Sequence, residues 1–389
     1  MPSVVGPSEH LALAVALDGT GWHPASWRDA DARPIELTTP GYWADVVTEA
    51  EAGLLDFVTV EDGLGPQSDS LKHADERTDR VRGRLDAVLI ASRVAPLTRH
   101  IGLVPTVVAT HTEPFHASKA IATLDYVSTG RAGVRLQVSA RPDIAAHFGR
   151  RDVTALSGAD LLAEAADYAE VLRRLWDSWE DDAEIRDAAT GRFIDREKLH
   201  YIDFEGAQFS VRGPSITPRP PQGQPVIAAL GHVPEAFELI AGSADVGFVT
   251  PQSPSDTGGL VDRIAQHRPA DLDAVRVFVD LVVFLADGDR EAQDRRARLD
   301  EWAGAEFRSD AASFVGTPAQ LADLLQEWSA AGITGFRLRP ATIPRDLLRI
   351  TRGLVPELQR RGLFRSGYAE STLRERLGLS RPANRYATT

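Results

Sequence analysis

Apolar runs rich in β-branched residues alternate along this chain with segments whose apolar residues recur at helical spacing. Runs starting near residues 11, 55, 101, 133, 226, 245, 275 and 335 read as strands. Helical periodicity falls between them: at 41–52, with Trp43, Val46, Val47 and Ala50 on one stripe, at 85–95, from Pro114 to Leu124, and at 158–179. It returns at 234–241, after the TPQSPS loop, from Asp289, from Pro318 and at 347–360. The clearest unit is 101–139, which reads strand, helix, strand, the pattern of a right-handed crossover between parallel strands. Eight strands alternating with helices predict an α/β fold, a (β/α)8 TIM barrel with insertions. The competing doubly wound sheet is disfavoured, because no Gly-x-Gly-x-x-Gly turn follows the first strand.

The alternation is interrupted once. Residues 180–224 contain GRFID, KLHYIDFEGAQFSVRGP and TPRPPQGQP, which read as short antiparallel strands and proline-set loops. We treat 1–389 as a single barrel domain with an insertion at 180–224, placed as a wall over the barrel mouth, and a C-terminal extension at 362–389. The end of that extension, Arg-rich from Ser371 onward, is open to two readings: packing on a neighbouring subunit or plain exposure.

Polar residues gather where strands end, which is where parallel α/β folds bind ligands. Glu61 and Asp62 close the second strand, Thr106 and Thr110 to Glu113 the third, and Gln137 and Ser139 the fourth. The loop after the first strand, GWHPASWR, packs a histidine, two tryptophans and an arginine into eight residues. His23 there is a candidate proton donor or hydrogen-bond partner to a ligand, since its ordinary pKa lies near neutrality. Each of these residues also has a plain structural reading as a helix cap or a loop group bonded to backbone. The stretch SARPDIAAHFGRRD after Ser139 reads as a long loop carrying Arg150 and Arg151.

Composition narrows the partners. Of 389 residues 43% are hydrophobic and 25% charged, enough for a large core, and the net charge of −13 argues against a nucleic-acid backbone or an anionic membrane as partner. The absence of cysteine removes disulfides and thiolate metal sites. No metal site is expected, since His-Glu-x-x-His is absent, and so are a Walker loop and a Gly-x-Ser-x-Gly elbow. The start, MPSVVGPSEH, lacks the basic and long apolar regions of a signal peptide, which leads us to expect a cytoplasmic protein.

Longer motifs carry a resemblance. GWHPASWR, DFVTVED, TVVATHTEPFHASKAIATLDYVSTGRAG, LWDSWEDDA and ELQRRGLFRSGYAESTLRERLGL, spread in order over nearly the whole chain, resemble the bacterial-luciferase-like flavin monooxygenases, in the branch of nitrilotriacetate and dibenzothiophene-sulfone monooxygenases. The resemblance implies a two-component enzyme that takes reduced flavin mononucleotide (FMN) from a separate flavin reductase and uses O2 to oxygenate a small organic substrate, commonly as a homodimer or homotetramer. It also implies roles: Asp62 and Thr106 by the isoalloxazine, Ser139 near the ribityl chain or phosphate, and His23 on the reaction side. Where the branch has an Arg-Tyr pair at the start of the long helix this chain has Leu161 and Leu162, and where it has serine after the fifth strand this chain has Val233, following Gly231 and His232. Phosphate contacts would then fall to backbone N–H groups after Gly231, with His232 or Arg135 adding positive charge. A deazaflavin-dependent hydride-transfer oxidoreductase and a non-catalytic flavin-binding protein are the alternatives.

Overall fold

A computed structural model describes residues 10–68, 70 and 73–387. Eight parallel strands close into a barrel: β1 (Ala12–Leu17), β2 (Phe57–Val60), β3 (Gly102–Val108), β4 (Gly133–Gln137), then, after four short strands, β9 (Val226–Gly231), β10 (Val246–Val249), β11 (Arg276–Leu285) and β13 (Gly335–Pro340). Each pairs with the next and β13 returns to β1, with Ala12 opposite Gly335 and Val15 opposite Leu338. These are the eight strands expected from the apolar runs. The ninth parallel strand, β12 (Ala312–Gly316), lies outside the barrel on the carboxyl-terminal half of β11, whose ten residues are long enough to serve both.

The short strands, β5 (Glu184–Asp187), β6 (Arg192–Ile194), β7 (Phe204–Glu205) and β8 (Ser210–Val211), form two antiparallel hairpins between 180 and 224, as the turn-rich sequence predicted. Their position meets expectation only in part. Ile202, Phe204 and Val211 pack on Val171 and Leu175, and Arg219 pairs with buried Asp177 at 3.0 Å, so much of this excursion buttresses a helix, while Gln208 and Phe209 line a small hollow at the end of β3.

Helices α1 (Pro40–Ala52), α2 (Ala87–Val94) and α3 (Pro114–Val127) cover the first strands. Next come α4 (Pro142–Phe148) and α5 (Gly158–Asp177), the second opened by a capping box in which Ser157 and Asp160 satisfy each other's backbone N–H. Helix α4 lies in the stretch read as loop; its signals were Pro142 at the first helical position and Gly149, left-handed at φ 61°, just past its end. The ring is completed by α6 (Pro234–Ser243), α7 (Pro254–His267), α8 (Asp289–Ala303), α9 (Pro318–Ser329), α10 (Arg345–Arg349) and α11 (Val355–Arg360), the last two joined through a π-helical turn at Ile350–Leu354.

Part of the extension packs on its own barrel. Helix α12 (Leu373–Arg376) turns under the barrel, and Leu373, Leu377 and Leu379 join Phe57, Phe248 and Phe278 in an apolar cluster that closes the amino-terminal end of the lumen. Gly102 makes room for it, since a Cβ there would lie 2.7 Å from Cδ1 of Leu373.

Buried Asp125 on α3 accepts N–H groups from Ala132 (3.1 Å) and from the Gln222 backbone (3.1 Å) and side chain (2.6 Å), tying the end of the excursion to the barrel. Burial pushes its pKa up to about 6 against those hydrogen bonds. A raised carboxyl pKa means the folded protein holds the proton more tightly than the unfolded chain, so stability falls as pH rises from about 4 to about 6. Urea midpoints should therefore report a gain of about 1 kcal/mol between pH 7 and pH 5. Asp125→Asn should abolish that slope; an unchanged slope in the variant would assign the effect elsewhere.

Candidate active site at the carboxyl end of the barrel

Alternation along the strands decides what fills the upper lumen. Val58 and Val60, Leu103 and Val107, Val277, Val279 and Leu281, and Phe336 and Leu338 face the helices. The intervening Thr59, Thr106, Asp280, Arg337 and Arg339, together with Arg135 and Glu61, point inward and are all at most 9% exposed. They form a chain of alternating charge across the lumen. Arg135 donates to Glu61 (2.7 Å), Arg337 lies 3.4 Å from the other Glu61 oxygen and donates through Nε to Asp280 (2.7 Å), and Arg339 donates to Asp280 (3.0 Å) and to Asp310 (2.6 Å). His232 closes the series 3.4 Å from Asp310. Burial opposes ionisation of Glu61 and Asp280, but the adjoining guanidinium groups outweigh it and hold both carboxyls below the usual range.

Above this layer, at the ends of β1, β2 and β4, opens a cleft of about 630 Å³. Its walls are the 18–26 loop, the segment running from Asp62 to Arg84, residues 137–144 and the first turn of α5. The segment from Asp62 to Arg84 therefore supplies the wall that sequence reasoning gave to 180–224; none of the lining residues belongs to the later excursion. A smaller hollow of about 270 Å³ lies beside it, where His111 stacks on Phe148 with ring centroids 5.2 Å apart.

Three of the expected site residues meet in the large cleft: His23, Asp62 and Ser139. Asp62 accepts N–H groups from Gly63 (2.6 Å) and Ala87 (2.9 Å), so it starts α2 while keeping one lone pair on each oxygen toward the cleft. Burial raises its pKa against those bonds. Ser139 is held by its backbone N–H on Thr110 (3.0 Å). The His23 ring is fully buried and both nitrogens are engaged: Nδ1 accepts from the Ala25 N–H (3.1 Å), which places the proton on Nε2, and Nε2 donates to Asp300 (3.1 Å). Burial lowers its pKa despite Asp300. The Asp300 bond ties the 18–26 loop to α8, and delivery of the Nε2 proton to a ligand would require breaking it.

The remaining expected residues lie elsewhere. Thr106 accepts from Nη1 of Arg135 (3.1 Å) inside the lumen, where the same nitrogen meets Glu61 and Gln137, beneath the cleft. Gly231 and His232 stand on the opposite rim, outside the large cleft, where Nδ1 of His232 meets the Thr250 hydroxyl at 2.9 Å. Asp280, Arg337 and Arg339 were missed; their signal was charge at every second position of an otherwise apolar strand, as in GFRLRP. Among the described residues no group of three or more histidines and carboxylates could hold a metal ion.

Residues 20–335 match the family model described as luciferase-like monooxygenase. The chain is 30% identical to nitrilotriacetate monooxygenase component A of Aminobacter aminovorans, over 98% of this chain and 99% of that one. It is 32% identical to N-acetyl-S-(2-succino)cysteine monooxygenase of Bacillus subtilis (strain 168), over 97% and 99%. Among solved structures, a long-chain alkane monooxygenase superposes with a TM-score of 0.84 at 25% identity, over 95% of this chain and 96% of the other.

Proposed function

Because the chain belongs to the luciferase-like monooxygenase family, whose related members are two-component flavin-dependent enzymes, we propose that it binds reduced FMN in the 630 Å³ cleft and uses O2 to oxygenate a small organic substrate there. The observation that carries this is the convergence of Asp62, Gln137 and Ser139 on one cleft at the carboxyl ends of the strands, walled by Trp22, Val138, Ile144, Leu161 and Leu162. A hydrogen-bond acceptor, a hydroxyl and flat apolar walls suit a ligand with a large ring and a polar tail. The glycine wall supports the fit: a Cβ on Gly65 would lie 3.0 Å from Ile144, narrowing the cleft.

Bound reduced flavin supplies the two electrons that let one oxygen atom of O2 enter the substrate while the other leaves as water. The protein's share is placement and exclusion of water. Asp62 offers carboxylate oxygens to a ring N–H, and Ser139 offers its hydroxyl to the ribityl or phosphate end. Leu161, Leu162 and Val138 line an apolar side that water does not solvate. Thr106 and Arg135 would lie in the polar layer beneath the bound cofactor, and His23 keeps the 18–26 loop in register. Gly231 and His232 border the mouth from the opposite side. The reduced flavin comes from a separate reductase, consistent with a relative named as component A of its system. We place the enzyme in the cytoplasm as a homo-oligomer; no helix among the described residues is long and apolar enough to cross a membrane.

Anaerobic titration with reduced FMN should saturate the protein at one flavin per chain, and subsequent mixing with oxygenated buffer should reoxidise the flavin more slowly than free flavin. Reoxidation at the rate of free flavin, with no binding, would overturn this reading.

A further inference from the structure

The reading above leaves the phosphate of the flavin without a partner. Positions 161, 162 and 233, which carry hydrogen-bonding side chains in the branch this sequence resembles, are Leu, Leu and Val here. A phosphate monoester is close to a dianion at neutral pH and needs fixed donors in a partly buried site. The cations first considered for it are occupied elsewhere: Arg135 faces Glu61 in the lumen, and His232 stands outside the cleft on Asp310 and Thr250. Arg84, in the cleft wall, pairs with Asp18 at 3.2 and 2.7 Å and has Glu61 and Asp62 as its other charged neighbours, so a phosphate beside it would meet three carboxylates.

The geometry points to Arg141 as the residue that holds the phosphate. Arg141 lines the cleft at the end shared by Ser139, Ile144, Leu161 and Leu162. Its side chain is 13% exposed, a partly buried position on the cleft wall. The guanidinium is set in orientation by Asp143, which accepts from Nε (3.0 Å) and Nη2 (2.5 Å), while Nη1 donates to the Pro66 carbonyl (3.3 Å). Asp143 is itself fixed by the N–H of Ala74 at 3.1 Å. Of the five guanidinium N–H groups this leaves one on each terminal nitrogen available to phosphate oxygens. The backbone N–H of Arg141 lies 3.5 Å from the hydroxyl oxygen of Ser139, and both residues line the cleft. The hydrogen bonds from Arg141 draw the Asp143 carboxyl down to about 2, so the orienting charge persists throughout the physiological range. A side chain from the loop after β4 thus does the work that the start of α5 does in the branch. Arg141 contacts the cofactor, and Asp143 is a positioning residue.

This assignment depends on the flavin reading, and the test separates the two. Dissociation constants of reduced FMN and reduced riboflavin, which differ only in the phosphate, are measured anaerobically for the wild type, Arg141→Gln, Arg141→Lys and Asp143→Asn, with thermal melts confirming that each variant folds. The wild type should prefer FMN at least tenfold. Arg141→Gln should bring the two flavins within about twofold by weakening FMN alone, Arg141→Lys should keep part of the preference because it retains charge without the fork, and Asp143→Asn should fall between. An unchanged preference in Arg141→Gln, or equal weakening of both flavins, overturns the assignment and leaves the flavin reading standing. Wild-type protein that binds neither flavin overturns both.

Discussion

Asp280→Asn is expected to lower the unfolding free energy by about 3–5 kcal/mol, the range for removing one partner of a buried charge pair. Asp280 is fully buried and serves two cations at once, accepting from both Nε and Nη2 of Arg337 and of Arg339. Asparagine keeps the shape but loses the charge and turns an N–H toward a guanidinium. Arg337 would then depend on Glu61 at 3.4 Å, a carboxylate already shared with Arg135, and Arg339 on Asp310, whose side chain is 41% exposed. The lumen would be left with an unbalanced positive charge in a low-dielectric layer. The control is Asp310→Asn at the solvent-facing end, expected to cost about 1 kcal/mol because water replaces the lost partner. Urea denaturation of the two variants decides the matter: equal losses would mean the alternating chain is not a buried unit.

Deleting residues 371–389 is expected to leave a chain that does not reach a packed barrel. Leu373, Leu377 and Leu379 are each at most 4% exposed, and truncating a buried leucine to alanine typically costs about 2–5 kcal/mol. Three such losses are comparable with the whole net stability of a domain, about 5–15 kcal/mol. Polar groups go with them: Arg376 donates to the carbonyls of Asp56 (3.0 Å) and His100 (2.7 Å), and the Arg374 backbone N–H donates to Gln222 (2.9 Å). Phe57, Phe248 and Phe278 would face water from below. Near-ultraviolet circular dichroism and soluble yield report the outcome. Leu373→Asp should behave like the deletion, and Leu373→Met should cost less than about 1.5 kcal/mol. A soluble truncated protein with native near-ultraviolet signal would show that the floor is dispensable.

These two sites also mark where the sequence could be read and where it could not. The barrel strands announce themselves because a strand buried on both sides must be apolar almost throughout, and Asp62 and Ser139 follow from looking at strand ends. Arg337 and Arg339 were hidden by the same rule: apolar Phe336 and Leu338 on the outer face dominate the pattern, while the partners on the inner face, Glu61 and Asp280, lie 276 and 57 residues away. Ion pairing across a barrel has no local signature. The extension fails to declare itself for a related reason, since three leucines spaced 373, 377 and 379 suit a surface helix as well as a plug. The polar, charged stretch from Pro66 to Arg80 reads in sequence as an exposed excursion, because what orders this part of the chain lies outside it, such as Asp18 for Arg84 and Asp143 for Ala74.

The closure of β1 on β13 and the sealing of the lumen from below have a consequence for the order in which the chain is made. Ala12 emerges from the ribosome early, but Gly335, its partner across the barrel seam, is added roughly 15–65 s later at about 5–20 residues per second. The leucines that close the floor follow later still. Throughout that interval β1 has an unpaired edge, and the aromatic side chains of β2 and, once they are made, of β10 and β11 lack their cover, the kind of surface that recruits other strands and apolar chains. The protein therefore cannot mature from its amino terminus piece by piece. Its first half must be kept from association until translation is all but finished, which makes yield in the cell depend on elongation rate and on chaperone supply.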